Sequence, residues 1–287
     1  MSKLRSVSWR KPPRPFVKWA GGKARLLKQL AKHLPKNFNT YYEPFLGGGA
    51  LFFHLVETHH QFSAVLSDVS EELINAYRVV RNRVEDLIME LQDHKARYKE
   101  RPEEYYYEIR AKKFPDDVMR AARLIFLNKT CYNGLYRVNR EGEFNVPFGT
   151  HKDPRICDSS NLRAASQALR LSKAELVAAD YFEATKDADK DDFVYFDPPY
   201  QPSSSTAHFT SYTESGFPLE EQERLRDWFQ ELDNRGCRIV LSNSDTKEIA
   251  DLYKQYYIQR AQVPRTIGCR VERRKGCREL IIRNFKM

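Results

Sequence analysis

Apolar residues fall into two textures along the chain. Short apolar runs of about five residues alternate with longer stretches in which apolar positions recur every three or four residues. The short runs predict strands at Tyr41–Leu46, Ala64–Ser67, Leu176–Ala179, Phe193–Phe196, Arg238–Ser242, Tyr256–Ala261 and Glu279–Arg283. Most are continuous rather than alternating, as in strands covered on both faces. Together with the helical stretches between them they predict an α/β fold around a mostly parallel sheet of about seven strands.

From about Glu71 to Ala165 the texture changes. Asp117–Lys129 places Val118, Ala121, Ala122 and Ile125 on one helical face, and Tyr105–Tyr107 lie in a charged, helix-favouring context. The stretch "CYNGLYRVNREGEFNVPFG", Cys131 to Gly149, is aromatic and turn-rich instead. Tyr136 and Val138, then Phe144 and Val146, alternate about an Arg-Glu-Gly turn, which predicts a β-hairpin. The organisation read from this is an α/β core, residues 1–70 and 166–287, interrupted by an inserted domain, 71–165.

Charge narrows the class of partner. The chain has 287 residues with 48 Lys+Arg against 39 Asp+Glu, a formal net charge of +9 that favours polyanions. The excess is clustered. Residues 1–14 hold five basic residues and no acid, without the apolar segment of a signal peptide, and Arg265–Arg278 holds six basic residues against one Glu. The second cluster lies between two predicted strands and suggests a basic hairpin loop; both clusters suit a phosphate backbone and predict salt-dependent binding. The five cysteines are scattered without a C-x-x-C pair, so reduced thiols in a cytoplasmic protein are expected, with no disulfide framework and no metal site. His151 has no partner cluster that would make it a metal ligand. No apolar run approaches the roughly 18 residues of a membrane span.

Four places carry candidate chemistry. In "YYEPFLGGGALFFHL" a strand ends near Pro44-Phe45 and three glycines precede a helix, so backbone can approach a ligand at the strand's carboxyl end. Gly47 and Gly49 fit the first two places of a dinucleotide fingerprint, but Phe52 stands where its third glycine belongs. "WAGGKAR" fails as a P-loop, because Ala24 follows Lys23 where Ser or Thr is needed. The two mismatches disfavour phosphate cradling, and a plain glycine turn stays open beside the pocket reading. Asp68, at the end of the next strand, can accept two ribose hydroxyls or serve as an N-cap for the helix that follows. Asp180, with Tyr181 and Phe182, ends a third strand, suited either to bonding and stacking an adenine or to an ordinary loop.

The fourth place is "VYFDPPY". Pro198 restricts Asp197 to extended geometry, and the two prolines remove successive N–H donors while leaving their carbonyls. Such a turn is rigid and rich in acceptors. It fits a planar group with two N–H donors: Asp197 takes one, the Pro198 carbonyl the other, and Tyr200 stacks on the attached ring. The exocyclic amino group of a nucleobase is such a group. Its lone pair is delocalised into the ring, and two acceptors favour the tetrahedral nitrogen that frees it. A carboxylate there also suits a cationic sulfonium, hence a direct methyl transfer without a covalent enzyme intermediate.

These residues, in this order, resemble the Dam-type DNA adenine-N6 methyltransferases. The likeness runs from "FVKWAGGKARLL" through "EPFLGGGALFF", "LSDVSEELINAY", "YNGLYRVNREGEFNVPFG" and "VYFDPPY" to "IVLSNSDT". The resemblance implies a twisted seven-stranded sheet with one reversed strand, S-adenosyl-L-methionine as cofactor, and double-stranded DNA from which the adenine is flipped. It implies Trp19, Lys23, Asp68 and Asp197 as cofactor-site positions, with Glu43, Phe45, Gly47, Asp180 and Tyr181 completing the pocket. Asp197, Pro198, Pro199 and Tyr200 are the implied catalytic set. For DNA it implies Lys18, Tyr132, Asn133, Leu135 and Arg137, with Asn145 and Pro147 on the returning arm, and GATC as the site. One departure stands out: after "NVPFG" this chain has Thr150 and His151 where the family carries a basic residue and Tyr, which bears on a phosphate contact or the outer base. No obligate protein partner is evident. A solitary enzyme, a phage enzyme and the protective half of a restriction-modification system read alike at this level.

Two other classes compete. A methyltransferase acting on RNA or a glutamine amide would suit the same acceptor-rich turn, but the inserted hairpin argues against it. A DNA-binding module that has lost turnover is opposed by the intact Asp197-Pro198-Pro199-Tyr200.

Overall fold

The computed structural model describes residues 9, 11–19, 21–23, 26–59, 62–200, 217–263 and 277–287. Most of the basic stretch Arg265–Arg278 and of residues 1–14, with Cys269, lies outside the described residues. In chain order the described elements are α1 (Leu27–Leu30), β1 (Thr40–Glu43), α2 (Ala50–Thr58), β2 (Ser63–Asp68), α3 (Glu71–Asn82), α4 (Val84–Glu100), α5 (Pro102–Ala111) and α6 (Asp117–Thr130). There follow α7 (Ser159–Leu171), β3 (Glu175–Ala178), α8 (Tyr181–Thr185), β4 (Phe193–Phe196), α9 (Leu219–Asn234), β5 (Arg238–Ser244), α10 (Lys247–Leu252), β6 (Tyr257–Val263) and β7 (Cys277–Arg283). The fold is α/β with a seven-stranded, mixed, mostly parallel sheet, as the alternating texture predicts.

The chain divides into two compact units: residues 1–22 with 46–179, and residues 23–45 with 180–287. In the first, β2 pairs in parallel with β3, Asp68 opposite Ala178. Three of its helices start at side-chain caps: Ser70 accepts from Leu73 N at α3, Asp116 from Val118 and Met119 N at α6, and Asp158 from Asn161 N at α7. The helix boundary Asp117–Lys129 read from periodicity is thus one residue short of the observed α6. The core of this unit is aromatic, with Phe52, Phe53, Tyr77, Tyr105, Tyr106 and Phe126 fully buried.

In the second unit the strand order is β1-β4-β5-β7-β6. β1, β4 and β5 pair in parallel, and β7 is antiparallel to both its neighbours. All four residues of β4, Phe193–Phe196, are buried, which accounts for its continuous apolar run. β1 stops at Glu43 rather than running to Leu46, because Pro44 has no N–H to continue the ladder. Tyr41, Phe193, Tyr195, Phe196, Phe229 and Tyr253 form the core. Among the described residues, no helix is long and apolar enough to cross a membrane.

Candidate active site

In the second unit, β4 delivers Asp197 just past its last residue, Phe196, and the two prolines carry the chain on to Tyr200. Lys23 Nζ lies 2.7 Å from Asp197 Oδ1 and donates to Tyr200 Oη, also at 2.7 Å. The Tyr200 hydroxyl in turn donates to Glu279 Oε2 at 2.7 Å, and that oxygen is 3.8 Å from Lys23 Nζ. Ser242, on β5, donates to Asp197 Oδ1 at 2.8 Å and is itself 2.9 Å from the Tyr195 hydroxyl. Both contacts on Asp197 fall on Oδ1, so among the described residues Oδ2 takes no bond.

The electrostatics of this cluster follow from its burial. The Lys23 side chain is only 6% exposed, against 16% for Asp197 and 12% for Glu279. Burial pushes the Asp197 carboxyl above its usual range, opposed by the Lys23 ammonium and the Ser242 hydroxyl and reinforced by Glu279. Burial and the two neighbouring carboxylates push the Tyr200 phenol well up, so it stays a donor. One ammonium between two carboxylates leaves a formal charge of about −1, suited to a cationic ligand.

The other predicted positions of this unit lie at the end of β1 and at the start of α8. Glu43 is buried and accepts from the Tyr41 hydroxyl at 2.9 Å. Phe45 stacks on Tyr181, ring centroids 5.7 Å apart and planes at 27°, with Phe196 and Phe217 edge-on to Phe45. Asp180 caps the short helix α8, accepting from Glu183 N at 2.9 Å. Tyr181 is buried in this aromatic group, whereas Phe182 is exposed and packs on Trp228 instead. Of the two rings flanking Asp180, only Tyr181 joins Phe45.

In the first unit the glycine turn is built around Asp68. Gly47 N donates to Asp68 Oδ2 at 3.1 Å, and Ser70 N to Oδ1 at 3.0 Å. Asp68 is therefore not the helix cap; Ser70 is. Burial raises the Asp68 pKa while both N–H groups oppose the rise. Each carboxylate oxygen keeps acceptor capacity beyond its one backbone bond. Gly47 adopts φ +47°, and a Cβ on it would stand 2.5 Å from Trp19 Cδ1. Tyr77 donates to Gly47 O at 3.1 Å, and Trp19 stacks on Tyr136 with centroids 5.0 Å apart. The Ser67 hydroxyl, next to Asp68 on β2, is buried without a hydrogen-bond partner.

The predicted hairpin follows α6 in the same unit. It is irregular: Cys131 bridges Phe148 and Val138 bridges Phe144, with Asn145 N donating to Arg137 O at 3.0 Å between them. Pro147 cannot donate, and the Asn139 side chain accepts from Glu143 N, so a continuous ladder does not form. Arg137 Nε donates to Asn145 Oδ1 at 2.7 Å and one Nη2 N–H to the Asn145 carbonyl at 3.3 Å. Tyr132 is 55% exposed, unusual for so large a ring, and Asn133 takes a left-handed φ of 57° in the turn Tyr132–Gly134. The fully buried Asn128 ties this turn to the chain before the glycine motif. It accepts from Lys18 N at 2.7 Å and donates to Lys18 O at 2.8 Å and Gly134 O at 3.1 Å. Lys18, Leu135 and Pro147 lie on these same segments, Lys18 and Pro147 exposed.

Ser242, Tyr195, Glu279, Tyr77 and Asn128 went unread in the sequence. Each acts on a group elsewhere in the chain; Ser242, Tyr195 and Tyr77 lie inside the stretches "IVLSNSDT", "VYFDPPY" and "LSDVSEELINAY", which gave them no individual role, and Glu279 and Asn128 lie in none. Among the described residues, no group of three or more His, Cys, Asp or Glu is placed to hold a metal.

Residues 19–267 match the family described as D12 class N6 adenine-specific DNA methyltransferase. The chain is 42% identical to the type II methyltransferase M.MjaIII of Methanocaldococcus jannaschii, over 95% of this chain and 99% of that protein. It is 41% identical to the type II methyltransferase M1.LlaDCHI of Lactococcus lactis subsp. cremoris, over 95% of each. To the DNA adenine methylase of Escherichia coli K12 it is 35% identical, over 94% of this chain and 95% of that one.

Proposed function

We propose, given that the chain belongs to the D12 class of N6 adenine-specific DNA methyltransferases, that it methylates the adenine of GATC in double-stranded DNA, flipping the base and transferring the methyl directly. Its cofactor is S-adenosyl-L-methionine, which supplies an electrophilic methyl on a sulfonium when bound. The residues present fit that group. The Asp68 carboxylate has acceptor capacity for ribose hydroxyls beyond its bonds from Gly47 and Ser70 N. The missing Cβ at Gly47 lets the Trp19 indole close on the glycine turn. In the second unit, the net negative Lys23–Asp197–Glu279 cluster suits a cation, and Phe45 with Tyr181 offers apolar ring surface beside Asp180. Glu43 lines the same strand end as Phe45.

The observation that carries the catalytic reading is the division of labour on Asp197. Lys23 and Ser242 both hold Oδ1, which orients the carboxylate and leaves Oδ2 to accept one N–H of the adenine amino group. The Pro198 carbonyl accepts the other, Pro199 keeps competing donors away, and the Tyr200 ring stacks on the base. Two acceptors draw the nitrogen towards tetrahedral geometry and free its lone pair for attack.

In this reading 71–165 is the target-recognition domain and 1–70 with 166–287 the catalytic domain. Arg137 keeps Nη1 and one N–H of Nη2 for a bidentate contact with guanine, while Asn145 fixes its fork. Leu135 or Pro147 contacts a thymine methyl, Lys18 the outer base, and the exposed Tyr132 enters the stack beside Asn133.

The test is label transfer from the methyl-labelled cofactor to duplex DNA, RNA or protein, with the modified position mapped by single-molecule sequencing. N6-methyladenine confined to GATC is expected. Methylation of adenine in another sequence would overturn the site, and a strict preference for single strands would overturn the duplex substrate.

A further inference from the structure

We infer that Glu279 is a positioning residue for the methyl transfer, holding the Tyr200 ring by its hydroxyl in the place where the target adenine stacks. This rests on the reading of Tyr200 as the stacking residue. Glu279 enters the cluster from β7, the antiparallel strand, where it pairs with Ser244 of β5 and Ala261 of β6. No recognised motif contains it.

Tyr200 follows two prolines and belongs to no strand or helix, so its own backbone gives the ring little support. What fixes it is the far end of the side chain. The hydroxyl accepts a hydrogen bond from Lys23 and donates one to Glu279, both at 2.7 Å, so it is held from two sides in opposite hydrogen-bonding senses. The phenol pKa is pushed well up, so the hydroxyl donates throughout the working range. The acceptor is 12% exposed and charged, and a charge-assisted bond of this kind is roughly twice as strong as a neutral one. Lys23 alone cannot replace it, because a lysine donates and the phenol proton needs an acceptor. Without Glu279 that proton turns elsewhere, and the Lys23–Glu279 contact at 3.8 Å is lost while the one to Asp197 at 2.7 Å stays.

The experiment compares wild type with Glu279→Ala, Glu279→Gln, Tyr200→Phe and the double variant Glu279→Ala/Tyr200→Phe. Single-turnover methylation of a GATC duplex is measured, along with fluorescence of a duplex carrying 2-aminopurine at the target adenine, without cofactor. Glu279→Ala is expected to slow transfer at least about tenfold, with duplex affinity within about threefold. Glu279→Gln, whose amide oxygen still accepts from the phenol, should recover to within about threefold of wild type. Once Tyr200 lacks its hydroxyl, Glu279→Ala should add less than about twofold, because both changes remove one bond. The 2-aminopurine signal should rise in Glu279→Ala as the quenching ring is released. Fully additive rates with an unchanged signal would overturn the inference and leave Glu279 a strand residue. Should Glu279→Ala fail to fold by circular dichroism, Glu279→Gln against Glu279→Leu decides the same point. If wild type transfers no methyl to the duplex but its 2-aminopurine signal still responds to Glu279, the substrate reading fails while the positioning role survives.

Discussion

Acid should loosen the first unit through a single imidazole. His94, on α4, is 6% exposed, with Nδ1 2.7 Å from the Tyr105 hydroxyl and its ring stacked on Phe126 at 4.9 Å. Burial, aided by Arg97 and Lys112 and opposed by Asp93, lowers its pKa from 6.5 to about 4. In the unfolded chain the ring takes a proton near pH 6.5; in the folded protein it stays neutral until about pH 4. Between those values the unfolded state binds more protons, so stability falls as pH falls, and the loss levels off below the folded pKa. At about 1.4 kcal/mol per pH unit the full loss is on the order of 3 kcal/mol, and about 1 kcal/mol is already gone at pH 5.5. Urea unfolding of wild type and His94→Gln across this range measures it. The variant starts from a lower stability but should lose about 3 kcal/mol less on acidification. Parallel pH curves for the two proteins would refute the assignment.

Asp197→Ala should abolish methyl transfer while leaving duplex affinity within about threefold by anisotropy; equal loss of both would make Asp197 structural. Arg137→Ala should cost about 1–3 kcal/mol of binding and relax choice at one base pair, whereas a uniform loss across sequences would mark a phosphate contact. Gly47→Ala forces a left-handed residue and drives a methyl against Trp19, so cofactor affinity by calorimetry should fall at least about tenfold; unchanged affinity would refute the cradle.

How much of this was legible in the sequence depended on range. The run FVYF announced β4 because a strand buried on both faces has a local signature, and the donor-poor turn after it is written in its prolines. Asp68 was ambiguous between ligand and cap, and a neighbour removes the second alternative: Ser70, two residues on, takes the cap, and Asp68 accepts from Gly47 N. The hairpin was visible in its alternation but not its irregularity, which arises from side-chain competition at Asn139 and Asn145. Asn128 reads as one polar residue in an apolar helix, and only the fold shows it satisfied by Lys18 and Gly134. Ser242 and Glu279 are similar cases, ordinary strand residues until β5 and β7 bring them to Asp197 and Tyr200.

The same long range has a kinetic consequence. Lys23 and Tyr200 are separated by 177 positions, and Tyr200 and Glu279 by 79. Closing loops of that size carries an entropic cost before any contact rewards it, whereas the contacts within single helices are local and form fast. On dilution from denaturant, helical ellipticity therefore returns before catalytic competence, and the interval between the two measures the assembly of β4, β5 and β7. During that interval the chain is helical, already carries its basic charge, and has no organised Asp197; it can sample polyanions before it can modify them.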